Sequence, residues 1–528
     1  MPRSRGPGLR ACVALTMLAL APAACDARET PVRPQKPVAG GVLRVAVREL
    51  PTLDPAKATG RGSAFVFAHV FDSLTAASAA GIAQPAAAKF WTTSADGLTW
   101  TFELAAASFH DGARVTAYDF KFAFDRIALK SIASEAAFQL EPVAGFKAAR
   151  IDGTATALSG VQPVDIDTLR IVLDRPFYEL PLFLAHPALG PVSQKVFNRD
   201  PKAFAQRPIG NGPFLMAEPR TDRGVELRRF DKHTGSTALL DGVSVATSSD
   251  SDEGWRAYRQ GTADVAEVPA AAIESSRGAY GPAGFSPFWA VVYYGPNLRL
   301  EKFKKPEARR AIALAIDRAA IASRVYGGTK TPATGLVPRG IPGFAVERCA
   351  ECVRDQSLAR TLVRQAYGTT PPEIIVDHLD NSSSREVAAA VAANLREIGI
   401  PARTRAHESS EYLRTLQAGR QELGEFGWFA EVPSPDPFLA QQLKTGSPNN
   451  QVGFSDSGFD SLIDRARGER EEVQRRTLYR NAELRALERL PLIPVVFFRN
   501  HLAVASKVRD LRVDGAGLFD AATVWLAP

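Results

Sequence analysis

Between Pro306 and Ala406 the chain alternates helix and strand, and that rhythm narrows the folds open to it. Pro306 stands where a helix begins, and Gly327-Gly328 where the same helix should end, near Tyr326. A second helix is expected over 357–367, stopped by Gly368, and Ile374-Ile-Val376 reads as a strand. Ser384 is placed to cap a helix running to about Ile398 and ended by Gly399, with a strand over 400–406. Parallel strands need a crossover, usually a helix, so this succession predicts an α/β fold with partly parallel pairing. One long polar helix is expected over 458–490, followed by a buried strand, Pro491-Leu-Ile-Pro-Val-Val-Phe-Phe498. The first half carries strand signals instead. Leu43, Val45 and Val47 alternate, as do Trp100, Phe102 and Leu104 after the turn signal Asp96-Gly97, and Thr168-Leu-Arg-Ile-Val-Leu173 is a further strand. Thr116-Ala-Tyr-Asp119 has the spacing of a capping box opening a helix through about Ala128.

At 528 residues the chain is too long for one core, so two or more lobes are expected at roughly 100–200 residues per domain. It opens with Arg3, Arg5 and Arg10, an apolar stretch over 11–21, and then Pro22-Ala-Ala-Cys25. Basic residues, a short apolar core and small residues before a cleavage point make a secretory signal over 1–24. The core is too short to span a bilayer. A cysteine in this place resembles the lipobox of bacterial lipoproteins, which implies that Cys25 becomes the new N-terminus and carries lipid; ordinary cleavage with a free Cys25 is the alternative. Residues 25–40, with Pro31, Pro34 and Pro37, read as an extended tether. The formal charge is +7, or +4 once the three leader arginines are removed. Lys and Arg are scattered without a dense basic block, so nucleic acid is not expected as a partner.

Of the four cysteines, Cys12 leaves with the leader and Cys25 is the lipid candidate. Cys349 and Cys352 remain, as Cys-Ala-Glu-Cys after the turn-rich Pro338-Arg-Gly-Ile-Pro-Gly343. In an exported chain the expected state is a small disulfide, with free thiols or metal and redox chemistry as the alternatives. No metal and no cofactor is expected. His69, His110, His186, His233, His378, His407 and His501 come singly, each read as a surface or satisfied core residue. The sequence has no Gly-x-Ser-x-Gly elbow and no His-Glu-x-x-His. Gly327-Gly-Thr-Lys-Thr331 lacks the glycine directly before the lysine that a phosphate loop requires and reads as a turn. Acidic residues are plentiful, so a hydrolase using a carboxylate pair stays open as a rival.

Several segments together resemble the extracellular solute-binding proteins of peptide and nickel ABC transporters, family 5. They are Pro51-Thr-Leu-Asp-Pro55, His69-Val-Phe-Asp-Ser-Leu-Thr75, Asp96-Gly-Leu-Thr-Trp-Thr-Phe102, Phe109-His-Asp-Gly112 with Val115-Thr-Ala117, and Phe124-Asp-Arg-Ile127. Pro208-Ile-Gly-Asn-Gly-Pro-Phe214, Ala313-Leu-Ala-Ile-Asp-Arg318 and Gly427-Trp-Phe-Ala-Glu-Val-Pro-Ser-Pro-Asp-Pro-Phe-Leu439 continue the series. The resemblance implies a two-lobed, periplasmic-binding-protein-like α/β fold with a hinge and an extra N-terminal subdomain. Lobe I would cover 41–294, with the subdomain inserted at about 67–186, lobe II 295–495, and 496–528 would return to lobe I. Asn297 would mark the first crossing and the stretch from Val496 to Asn500 the return. No catalysis is implied. A monomer would capture a small molecule, a peptide first, between its lobes and deliver it to ABC permease subunits at the outer face of the cytoplasmic membrane. A metal chelate, an oligosaccharide or an opine-like conjugate are the other ligands in view. Motifs before residue 220 are read as scaffold. The ligand-binding residues are expected in the segment of Gly427, Trp428, Phe429 and Glu431. The peptide-binding branch keeps an Asp there for the peptide's α-ammonium, and Glu431 occupies the matching position. A buried ammonium needs a counter-charge, and Glu supplies one through a charge-assisted hydrogen bond.

Overall fold

Alternating apolar residues set the first sheet. The computed structural model describes residues 36–57, 60–276, 282–344 and 349–528, so the leader and Cys25 lie outside the described residues. Val42–Val47 is a central strand with Leu43 and Val45 buried. It pairs in parallel with Gly242–Thr247 on one side and Val265–Glu267 on the other. Gly224–Arg229 and Phe214–Met216 extend one edge and Leu502–Val504 the other, all antiparallel, giving six strands. A separate four-stranded antiparallel sheet, in the order Ala88–Thr93, Thr99–Leu104, Thr168–Val172, Val161–Pro163, shares one apolar core with it.

The family-like segments before residue 220 hold this part together. Thr116 and Asp119 close the capping box at the start of Ala117–Ala128. That helix carries Arg126, whose Nη2 lies 3.0 and 2.7 Å from the two carboxylate oxygens of Asp54. Both partners are buried, which joins two distant motifs. Gly210 lies so close to the chain before it that a Cβ there would fall 2.0 Å from the Val70 carbonyl oxygen, so no larger residue fits.

The second sheet also has six strands, in the order Thr331–Pro332, Ile493–Arg499, Pro287–Pro296, Leu423–Phe429, Ile374–Leu379, Ala402–His407. Ile374–Leu379 is parallel to both its neighbours, whereas Pro287–Pro296 is antiparallel to both of its own. Alternate residues of Pro287–Pro296 enter two cores, Val291 and Tyr293 on one face and Val292 and Tyr294 on the other. Burial on both faces is the mark of a central strand.

This strand moves the expected boundary. Because Pro287–Pro296 lies wholly in the second sheet, the chain leaves the first sheet before Pro287, not at Asn297. Asn297 is buried within the second half, where its Nδ2 donates to the carbonyls of Gly419 and Gln421. The return falls between Ile493–Arg499 and Leu502–Val504. Asn500 ties the two crossings together, donating to Ser286 Oγ at 2.9 Å and to the carbonyls of Pro287 and Asp514 at 3.2 and 3.0 Å.

Three local expectations also shift. The helix from Pro306 stops at Ala315, because Ile316 and Asp317 leave helical geometry and Asp317 caps a new turn through the Ala320 N–H. The long polar helix is two, Ser457–Arg467 and Glu472–Arg489, parted at Gly468. The helix Ser382–Glu397 is capped by Asn381 rather than Ser384. Cys349 and Cys352 are joined by a disulfide.

Candidate solute-binding cleft

Strand ends of both sheets converge on one cavity. It measures about 620 Å³ and is lined by residues 45–49 at the carboxyl end of Val42–Val47 and by residues 265–270 at that of Val265–Glu267. The second sheet contributes Phe288, at the start of Pro287–Pro296, and Phe498 and Arg499, at the end of Ile493–Arg499. Ligands of α/β folds sit outside the carboxyl ends of parallel strands, and a volume of 300–1,000 Å³ is ordinary for small-molecule sites. The wall combines Phe65, Phe288, Phe498 and Phe519 with Arg61 and Lys330.

Leu423–Phe429 ends at the same edge, since Ala290 pairs with Phe429 and Val291 with both Trp428 and Phe497. The expected segment therefore lies on a strand next to those that reach the cavity, but none of Gly427, Trp428, Phe429 and Glu431 lines it. Gly427 is exposed, and a Cβ on it would meet nothing. Trp428 packs partly into the second-sheet core, and its indole Nε1 has no hydrogen-bond partner among the described residues. Phe429 is 51 % exposed.

Glu431 follows in a loop fixed on both sides. Ala430 belongs to the core of the second sheet, and its N–H donates to the Trp289 carbonyl. Val432 is buried in the core of the first sheet. Asp436 ends the loop, completely buried and held by Arg467 through Nε at 2.7 Å and Nη2 at 2.8 Å. The Tyr479 hydroxyl lies 2.9 Å from Asp436 Oδ2 and 3.0 Å from Glu179 Oε2. One phenolic proton cannot serve two carboxylates. Glu179, pushed above the usual carboxylate range by burial and, in part, by the charge of Asp436, is suited to keep a second proton.

The partner of Glu431 is His186, whose Nε2 lies 2.8 Å from Glu431 Oε2. His186 Nδ1 accepts the Ala188 N–H at 3.1 Å, which places the ring proton on Nε2 as the donor to Glu431. In that tautomer the pair carries one net negative charge. Desolvation pulls the Glu431 carboxyl up, but the charge His186 brings when its ring is protonated, and hydrogen bonds with His186 and Gln139, outweigh it and hold the group below its ordinary range. Even so, 29 % of the Glu431 side chain stays accessible. Glu135 stands close enough that burial, and then the Glu431 charge, push its own carboxyl up.

The sequence pointed to neither His186 nor Gln139. Lys330 did stand out, but only as part of a turn. The turn is real, with Gly327 and Gly328 at φ +54° and +76°, and it delivers Lys330 to the cavity.

A sequence model of "Bacterial extracellular solute-binding proteins, family 5 Middle" matches residues 83–450. The chain belongs to bacterial extracellular solute-binding family 5. Its fellow members bind solutes for ABC importers, and this family 5 protein is a binding protein rather than an enzyme. It is 28 % identical over 485 residues, 89 % of each chain, to the probable deoxycholate-binding periplasmic protein YgiS of Escherichia coli K12. It is 26 % identical over 435 residues, 79 % of each chain, to the dipeptide-binding protein DppE of Bacillus subtilis 168. In fold it is similar to HbpA2 from Haemophilus parasuis, with a TM-score of 0.81 at 22 % identity, covering 92 % of this chain and 100 % of that one.

Proposed function

We propose that this family 5 protein captures a peptide or peptide-like solute by its cationic end in the cleft and hands it to a membrane permease. The observation that carries the reading is the Glu431–His186 pair: an ionised, accessible carboxylate whose internal partner donates a proton without cancelling its charge. The two sheets are the cores of two lobes, and the strands around Ser286 and Asn500 are the hinge on which they close over solute. Cys25 carries the lipid that keeps the protein at the outer face of the membrane. Relatives named for a bile acid and for dipeptides span a wide range of ligands. The negative pair at Glu431 favours the class with an ammonium.

The test begins with mass spectrometry of solute retained through gentle purification, followed by calorimetry with that compound. Glu431→Gln keeps the shape and removes the charge. Losing a hydrogen bond between charged partners costs about 1.5–3 kcal/mol, roughly a ten- to hundredfold weakening. Glu431→Asp should lose less. Unchanged affinity in Glu431→Gln would show that the solute is anchored elsewhere.

A further inference from the structure

The loop that carries Glu431 is gripped from the first half of the chain at two points. His186 meets Glu431, and Glu179 meets Ser434, whose Oγ donates to Glu179 Oε2 at 3.1 Å. The same carboxylate oxygen lies 3.0 Å from the Tyr479 hydroxyl. Arg475 Nε stands 3.9 Å from the other oxygen, too far for a hydrogen bond. Glu179 and His186 flank the short helix Leu180–Phe183, whose Leu180 and Phe183 are packed in the core of the first sheet. On the loop side, Ser434 Oγ accepts the Asp436 N–H at 3.1 Å. Beside Glu179, the Tyr178 N–H donates to the Arg467 carbonyl at 2.9 Å.

Among the described residues, every side chain bonded to the Glu179 carboxyl belongs to the second half, as do the charges that act on it. Burying a polar group without partners is costly. This buried acid is matched only while the two halves touch.

We propose that Glu179 is a positioning residue for capture: a latch that joins the halves once solute is enclosed and holds the Glu431 loop in place without touching solute. The proposal rests on the reading of the two sheets as lobes that close over solute. Closure brings Glu179 to Ser434 and Tyr479, and parting the halves returns its carboxyl to water. Encounter precedes closure, so the latch governs release rather than entry. Its grip does not depend on a full negative charge. The Tyr479 hydroxyl has one proton for two carboxylates, and burial pushes Glu179 up, so a neutral side chain of the same shape should close the latch equally well.

The probe is a tryptic digest of casein, a mixture of peptides with free α-ammonium groups, added to the whole protein. Native mass spectrometry follows the peptides retained after buffer exchange, and small-angle scattering reports closure. Wild type should retain peptides and contract. Glu179→Ala should release the same peptides roughly tenfold faster or more, and contract less. Stopped-flow mixing with the best-retained peptide, made by synthesis, should show association within about threefold of wild type. Glu179→Gln should restore slow release. The melting temperature without peptide should be the same in every variant, because the open form does not use the contact. Release from Glu179→Ala at the wild-type rate, or a loss confined to association, overturns the latch and leaves the Glu431 reading intact. A lowered peptide-free melting temperature with release unchanged makes Glu179 a support of the fold and also overturns it. A wild type that retains no peptide, or does not contract, overturns the capture reading and the latch with it. If Glu179→Ala does not fold, Glu179→Asp takes its place, one methylene too short for the present contacts.

Discussion

Replacing Arg467 by Met should cost the fold about 3–5 kcal/mol, because it strands a carboxylate in the interior. Asp436 is fully buried, and Arg467 supplies both of its charged contacts, at 2.7 and 2.8 Å. Methionine fills much of the same volume but leaves the negative charge with only the Tyr479 hydroxyl, and a broken buried ion pair costs several kcal/mol. Asp436→Asn placed on top removes the stranded charge. The double variant should therefore recover 1.5 kcal/mol or more of the loss, within the range of coupled neighbours. Urea unfolding followed by tryptophan fluorescence measures both, provided the transitions of the variants keep the same slope. Since Asp436 ends the loop that carries Glu431, solute affinity should fall in any Arg467 variant that stays folded. A loss below about 1 kcal/mol, or single effects that simply add in the double variant, would mean that water reaches this pair and that the loop is held by its apolar neighbours alone.

Glu483 gives a pH test of stability. It is 2 % exposed, accepts the N–H groups of Leu336 and Val337, and burial raises its carboxyl to about 7. An acid raised on folding binds its proton more tightly in the native state. Its contribution is thus full below about pH 4.5 and lost as pH rises to 7, on the order of 3 kcal/mol. Glu483→Gln should remove that loss, so a variant no more stable than wild type at pH 8, relative to pH 4.5, refutes it. Changing Cys349 and Cys352 together to Ser should cost about 2 kcal/mol or less, since the bridge spans only three positions, and thiol titration of the unreduced, denatured wild type should find neither reactive. Cys25→Ala should move the protein from the membrane to the soluble fraction; a wild type already soluble and starting at another residue rules out the lipid.

Turn and cap chemistry made most elements legible. The Thr116–Asp119 box and the stops at Gly368 and Gly399 mark helix ends where the structure has them, because each depends on a few adjacent residues. Breaks set by tertiary partners were not legible. The helix after Pro306 ends because Arg318 turns inward to donate to the carbonyls of Pro494 and Ala313, one of them distant in sequence. Pro287–Pro296 was missed as the first strand of the second sheet because burial on both faces erases alternation. Of the candidate site, the Trp428 segment was visible as a run of unusual residues. His186 was not, since a lone histidine acquires meaning only when the fold sets it 2.8 Å from a carboxylate.

The cavity wall is assembled from residues 45–49 near the beginning of the chain and residues 517–519 near its end, with the strand Leu502–Val504 added to the first sheet only after the second is complete. A chain made and threaded from its N-terminus therefore has no finished pocket until its last residues arrive. Solutes it meets while it is being synthesised or passed across a membrane find nothing to occupy. On the function proposed above, the order of the sequence itself postpones capture until the whole chain has folded.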